Sequence, residues 1–337
     1  MSRSVTYWAP LARLGQPPGW ARDVLLRADA SGHWAEVAAG VPAPEGARLL
    51  PGPALPGVVD AHGHAFQRAF AGLAERREGE RDDFWSWREQ MYRVASRMTP
   101  EALRAIATQL FVELLCGGYT HVCEFHYLHR LAGAEGDPSV SAHAIVGAAA
   151  ESRIGLTLLP VLYERAGFAA SAPEGEQRRF AIGLAGVDEI RAAIECEGRV
   201  RGRSLLGAGL ACHSLRAVSE EGIAGMRRLA AAAGDAPIHI HLAEQVREVE
   251  ECERALGQRP VAWLAGAGLD RNWHLVHATH VTPREIEAVA RGGATVVLCP
   301  GTEANLGDGV TDLPGWLRAG VPLAVGSDSQ VTRSWAA

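Results

Sequence analysis

From residue 57 onward, short apolar runs alternate with longer stretches of helical periodicity. The runs fall near 58–64, 119–127, 155–163, 204–213, 237–243, 273–280, 295–300 and 322–328, bounded by Gly, Pro or polar residues, and they predict eight strands. The segments between them carry helix signals. Thr99-Pro100 reads as an N-cap followed by Pro at the first helical position, with Leu103, Ile106, Ala107, Leu110 and Leu114 at helical spacing. Thr282-Pro-Arg-Glu285 reads as a capping box opening a helix that ends near Gly292-Gly293, and Ser219 as a further cap. Eight strands alternating with helices predict an α/β fold, a (β/α)₈ TIM-like barrel over residues 57–337. A doubly wound open sheet is the competing architecture. The barrel is favoured because polar residues cluster at nearly every strand's C-terminal end, where barrel sites lie.

Residues 1–56 follow another pattern. Val24–Asp29 and His33–Val37 read as strands joined through Ala30-Ser31-Gly32, a small β-sandwich portion, and the Pro-rich run Pro42–Pro56 as a linker. Residues 66–98 form a long insertion after the first barrel strand. Its aromatic stretch Asp82–Arg88 reads either as a lid carrying a carboxylate-binding arginine or as a surface helix whose tryptophans pack on the barrel.

Composition narrows the function classes. The 337 residues are 47% hydrophobic and 21% charged with a net charge of −6, and no basic stripe points to nucleic acid or a membrane surface. No apolar run is long enough to span a bilayer, and the N-terminus lacks a signal-peptide core. Cysteines 116, 123, 196, 212, 252 and 299 are scattered, which predicts free, mostly buried thiols in a reducing cytoplasm. All 33 basic residues are arginine. That excludes a Schiff-base lysine, a P-loop lysine and a carbamylated lysine bridging two metals, so a single ion is expected if metal is bound.

The candidate chemistry sits at the strand ends. In Asp60-Ala-His62-Gly-His64, side chains two apart on a strand point the same way, so two imidazoles face one point. His239 and His241 share a face in the same manner, with Glu244 just past the strand end. His277 ends the sixth strand and Asp328 the eighth. Any one of these alone is more often a hydrogen-bonded structural residue. Together they place three histidines and an aspartate at one rim, a donor set suited to zinc with a position left for water. Spacing alone does not choose between His239 and His241.

The combination Asp60-Ala-His62-Gly-His64, His239-Ile-His241-Leu-Ala-Glu244, His277 and Gly326-Ser-Asp328-Ser resembles the amidohydrolase superfamily in its mononuclear deaminase branch. The finer resemblance is to the formimidoylglutamate deiminases. It is carried by His64-Ala-Phe-Gln67-Arg68, Phe84–Arg88, Glu124-Phe-His-Tyr127, His213-Ser-Leu-Arg216, Leu275–His280 and Thr302–Asp308, over nearly the whole chain. The resemblance implies one Zn²⁺, or Fe²⁺ or another divalent ion, held by His62, His64, His241 and Asp328. Glu244, His277 and Asp328 would be catalytic, and Gln67, Arg88, Tyr127, His213 and Arg216 would bind substrate. The activity implied is hydrolytic deimination of N-formimino-L-glutamate, a small dicarboxylate, by a cytoplasmic homodimer. Arginine forks at Arg88 and Arg216 suit two carboxylates, although either could equally form a surface ion pair. For Gln67, Tyr127 and His213 the alternative is a structural hydrogen bond at the rim.

Small departures from the family pattern stand away from the donor atoms: Gly63 for Ser, Cys212 before His213, and Gly301 after Pro300. A larger one is that the chain stops soon after Asp328, where the family continues, which implies a fragment. Two other readings compete: a related deaminase acting on an aminated heterocycle of the guanine type, and a non-catalytic barrel. An aromatic-lined slot would favour the first, and lost ligands the second.

Overall fold

The structure, a computed structural model, describes residues 4–15, 18–30, 32–73, 84–168, 170, 172–200 and 205–329; for 84–89 and 200 it describes the backbone alone. By compactness the chain divides into Met1–Val58 with Cys196–Leu205, and Val59–Glu195 with Leu206–Ala337.

The N-terminal unit is a four-stranded sheet of β1 (Val5–Gly15), β2 (Pro18–Ala28), β3 (Trp34–Ala38) and β4 (Arg48–Leu49), in the order β3-β2-β1-β4. The predicted hairpin joins β2 and β3, closed by Asp29 N–H to His33 O at 2.8 Å and by His33 N–H to the Asp29 carboxylate at 3.0 Å. The strand β1 was not expected. It pairs antiparallel with β2 along its whole length, and Ala9, Ala12 and Val24 bury a small core there. The Pro-rich run is more than a linker. It lays β4 parallel to β1, and Ala54 donates to Leu11 O while accepting from Arg13 N. Proline only removes donors, so the proline-free dipeptide Arg48-Leu49 can still join a sheet.

The second unit holds the barrel strands β5 (Val58–Gly63), β6 (Tyr119–His126), β7 (Gly155–Leu162), β8 (Leu206–Ala208), β9 (Leu210–Cys212), β10 (Ile238–Leu242), β11 (Trp273–His277), β12 (Thr295–Leu298) and β13 (Leu323–Val325). The α-helices are α1 (Phe84–Ala95), α2 (Pro100–Cys116), α3 (Ser139–Ser152), α4 (Leu184–Val200), α5 (Glu220–Ala232), α6 (Val246–Leu256), α7 (Pro260–Gly266), α8 (Pro283–Gly292), α9 (Pro300–Leu306) and α10 (Leu313–Arg318). The sheet runs β13-β12-β11-β10-β9-β7-β6-β5, with β8 beside β7. This is a nearly closed (β/α)₈ barrel, not an open doubly wound sheet. The predicted caps are in place: Thr99 accepts from Ala102 N, Ser219 from Gly222 N, and Thr282 with Glu285 makes both halves of the box. One predicted strand, 204–213, is split at Gly209, where a Cβ would sit 2.7 Å from Leu159 Cδ2 and 2.9 Å from Pro237 Cγ. A side chain there would force Leu159 and Pro237 to shift, so glycine suits the position. The stretch expected as a lid contributes the backbone of the start of α1, and its side chains through Arg88 lie outside the described residues.

The first and last barrel strands meet at one bridge, Gly63 to Asp328. Asp328 N donates to His62 O at 2.8 Å and His64 N to Asp328 O at 3.3 Å. The buried Asp60 carboxylate clasps this seam by accepting from Ser327 N at 2.8 Å, Ser327 Oγ at 2.6 Å and His62 N at 3.3 Å. Burial lifts its pKa to about 6, while the hydrogen bonds from Ser327 and His62 oppose the rise. Gly326 lets the strands close, since a Cβ there would lie 2.8 Å from His62 Cβ and 2.9 Å from His62 O. All six cysteines are unpaired; Cys212, Cys252 and Cys299 are buried, whereas Cys116 and Cys196 are exposed. No helix among the described residues is long and apolar enough to cross a membrane.

Ser327→Ala strips the clasp of its shortest bond and leaves Asp60 Oδ2 buried without that donor. A loss of about 1–3 kcal/mol is expected, read as a lower urea midpoint at unchanged slope.

Candidate metal centre

Four donor atoms converge where β5, β10 and the end of β13 meet. His62 Nε2 lies 3.1 Å from His64 Nε2 and 3.1 Å from His241 Nε2, and the latter two are 3.3 Å apart. Asp328 Oδ1 is 3.3 Å from His62 Nε2 and 3.2 Å from His64 Nε2. All four atoms lie within 4.8 Å of one another; His62, His64 and Asp328 are buried and His241 is partly so. A tetrahedral ion with bonds of about 2.0–2.1 Å has ligand–ligand edges of about 3.3–3.4 Å, so the donor set has the size of such an ion's shell.

Proton placement argues the same way. His64 Nδ1 lies 3.0 Å from Phe125 O, and His241 Nδ1 lies 3.0 Å from His213 O. A carbonyl can only accept, so both Nδ1 atoms carry a proton, which leaves Nε2 as the nitrogen free to offer a lone pair to an ion. Burial pushes the pKa of His62 down to about 4 and that of His241 well below the ordinary value, which keeps these rings neutral at pH 7. Lone pairs 3.1–3.3 Å apart with an anionic oxygen beside them repel unless a cation lies between them. The residues present therefore fit a divalent ion.

His239, the alternative left open by spacing, is elsewhere. Its ring stacks on His274 at 4.5 Å and 5°. It sits one side-chain repeat earlier on β10, below the rim.

Beside the donor cluster, His277 ends β11 with φ +70°, and Asp328 has φ +54°. Left-handed backbone at non-glycine residues stores strain and is concentrated where side chains must be aimed. His277 Nε2 lies 3.7 Å from Glu244 Oε1 and 3.7 Å from Asp328 Oδ2, and its Nδ1 lies 3.3 Å from Glu303 Oε1. Burial disfavours the charged ring, yet Glu244, Glu303 and Asp328 together lift His277 to about 10. Glu244 rises to about 8 because it is buried, with Asp308, Asp328 and Glu248 adding to the rise and His277 opposing it. Asp308 is raised to about 6, again by burial first.

A cavity opens over this cluster. Its walls include His64, His241, Glu244, His277 and Asp328, and also Gln67, Tyr127, His213 and Arg216. The structure thus gathers all the sequence-predicted site residues except Arg88, whose side chain is outside the described residues. Gln67 Nε2 donates to Tyr127 OH at 2.8 Å, and Tyr127 OH donates to Met91 Sδ at 3.1 Å. Gln67 Oε1 and Arg216 Nε have no hydrogen-bond partner among the described residues. Tyr92, Tyr163 and Phe180 add an aromatic wall. Several contributors had no role from sequence: the carbonyls of Phe125 and His213 that orient two rings, the Asp60 clasp, Glu303 and Asp308. Backbone carbonyls leave no trace in a sequence; Glu303 and Asp308 lie in a stretch noted only for its resemblance.

The Amidohydrolase family model matches residues 54–336. The chain belongs to the amidohydrolase family. It is a hydrolase of carbon–nitrogen bonds, and the family is metal-dependent. The chain is 46% identical over 321 residues to the formimidoylglutamate deiminase of Pseudomonas aeruginosa, covering 94% of this chain and 70% of that protein. It is 30% identical over 281 residues to a 5-methylthioadenosine/S-adenosylhomocysteine deaminase of Natronomonas pharaonis, covering 83% of this chain and 58% of that one. The crystal structure of an amidohydrolase from Brucella melitensis superposes with a TM-score of 0.87 at 39% identity, over 97% of this chain and 72% of the other.

Glu124 supports the centre from behind, its Oε1 accepting from Ala65 N at 2.8 Å, one residue past His64. Burial raises its pKa from 4.5 to about 8, the Ala65 bond opposing. The folded state holds this proton to higher pH than the unfolded chain does, so stability falls as pH rises from about 4.5 to about 8. Glu124→Gln, which mimics the protonated form, is expected to flatten that slope and to exceed the parent in stability above the upper end of that window. Denaturant melts of both proteins across the window measure the difference.

Proposed function

We propose that the protein hydrolyses N-formimino-L-glutamate to N-formyl-L-glutamate and ammonia, a step of histidine degradation, with one zinc ion held by His62, His64, His241 and Asp328. The observation that carries this reading is the 46% identity over 94% of the chain to a formimidoylglutamate deiminase, together with the donor cluster and the Arg216 guanidinium in one cavity. When bound, the ion supplies Lewis acidity and lowers the pKa of a coordinated water toward about 7.

The chain's own residues divide the remaining work. Water adds to the formimino carbon, the bond from that carbon to the terminal nitrogen breaks, and the nitrogen leaves as ammonia. Asp328 takes the proton from the attacking water at Oδ2, the oxygen nearer His277. Glu244, whose pKa burial raises to about 8, protonates the imino nitrogen, then moves the hydroxyl proton of the adduct to the same nitrogen so that it leaves as ammonia, and is reprotonated from Asp328. Cationic His277 stabilises the negative charge that develops on the attacking oxygen. Arg216 pairs with a substrate carboxylate, Arg88 is the candidate for the second, and Gln67, Tyr127 and His213 hold the glutamyl portion.

The aromatic wall of Tyr92, Tyr163 and Phe180 favours a second reading, deamination of a planar ring. Parallel assays separate the two: ammonia from N-formimino-L-glutamate supports the first, and ammonia only from guanine or an adenosine derivative supports the second.

Metal analysis is expected to return one divalent ion per chain, lost with activity on chelation and restored by zinc. His241→Asn should lose that ion, whereas His239→Asn should keep it; the opposite outcome would reassign the ligand. Glu244→Gln is expected to lower kcat about 10²–10⁴-fold with little change in KM. Arg216→Gln should instead raise KM about 10–100-fold, the worth of a charged hydrogen bond.

A further inference from the structure

We infer that Glu303 is a positioning residue for His277, holding the ring so that its Nε2 faces the reacting groups. The kinetic part of this inference rests on the deiminase reading above; the structural part does not. Glu303 belongs to α9, outside the residues that the sequence assigns to catalysis or binding. Its Oε1 lies 3.3 Å from His277 Nδ1, and the same oxygen accepts from Cys299 N at 2.9 Å. Two donors on one oxygen fix the carboxylate. The backbone carbonyl of Glu303 also accepts from Asp308 N at 3.0 Å, which ties down the far end of the same short helix.

His277 needs such a hold. The backbone leaves the regular strand at this point, with φ +70° at His277 and +46° at Ala278, so the ladder of β11 no longer dictates where the ring points. The ring stacks on that of His241 at 5.6 Å and 15°, which sets its plane but not which nitrogen faces which way. An acceptor at Nδ1 decides that. With the Nδ1 proton given to Glu303, a flip of the ring would break that bond and put carbons where the two nitrogens now face Glu303, Glu244 and Asp328. Glu303 is buried, so no water replaces the bond at low cost.

The competing account is that Glu303 only caps α9 through Cys299 N. Capping affects stability; positioning affects turnover by a folded, loaded enzyme. The test uses zinc-loaded protein carrying Glu303→Gln or Glu303→Ala, with ¹⁵N-labelled histidine spectra assigned by the signals lost in His277→Asn. In the parent, His277 Nδ1 is expected to carry a proton protected from exchange. Glu303→Ala should lose that protection and lower kcat about 10–100-fold, with KM within about twofold and one ion per chain retained. Glu303→Gln, which keeps an acceptor but not the charge, should fall between the two, and it decides the matter alone if the alanine variant does not fold. Parent-like kcat in the folded variants, or an unchanged Nδ1 signal in them, would overturn the inference. If the parent releases no ammonia from N-formimino-L-glutamate, the proposed reaction fails, while the spectra still decide whether Glu303 holds the ring.

Discussion

Repulsion among three imidazole lone pairs and a carboxylate, packed within 3.3 Å of their neighbours in a buried pocket, is the constraint from which the site follows. Such a cluster is unfavourable by itself, because burial removes the water that would otherwise screen it. Two of the rings cannot relieve it by turning: Phe125 and His213 hold their Nδ1 protons with backbone carbonyls. A divalent cation is the group that turns this arrangement from a cost into a bond.

Maintaining the cluster requires a closed barrel. His62 and His64 enter the site from the first barrel strand and Asp328 from the end of the last, so the donors meet only if those strands meet. Among the described residues the seam is short, one bridge and its two backbone bonds. Asp60 and Ser327 reinforce it, and Gly326 permits the approach. Asp60 thus acts two residues away from a donor without being one. Burial of that clasp raises its pKa.

Around the donors the protein sets opposite electrostatic conditions within a few ångströms. Burial keeps His62 and His241 neutral, the state in which they can donate lone pairs, whereas neighbouring acidic groups raise the pKa of His277 against the effect of burial. Glu244 is held near 8, poised to release a proton close to neutrality. Carboxylates with divergent pKa values side by side are the pattern expected where one takes a proton and another gives it.

The sequence by itself determined the local part of this protein. Period-two patterning put His62 and His64 on one face of a strand, alternation of strand and helix signals predicted the barrel, and Thr99, Ser219 and Thr282 marked helix starts that the fold uses. Those features depend on neighbours within a few residues, so the sequence carries them directly. The tertiary structure decided the rest. His239 and His241 are equivalent by period, and only the height of each residue along the barrel axis separates a donor from a ring stacked on His274. The orienting carbonyls of Phe125 and His213 have no side-chain identity to read. The grip of Glu303 on His277 spans 26 residues and exists because two strand–helix units stand side by side in a closed ring. Contacts of that kind are set by which strands become neighbours, a property of the closed sheet and not of any one segment.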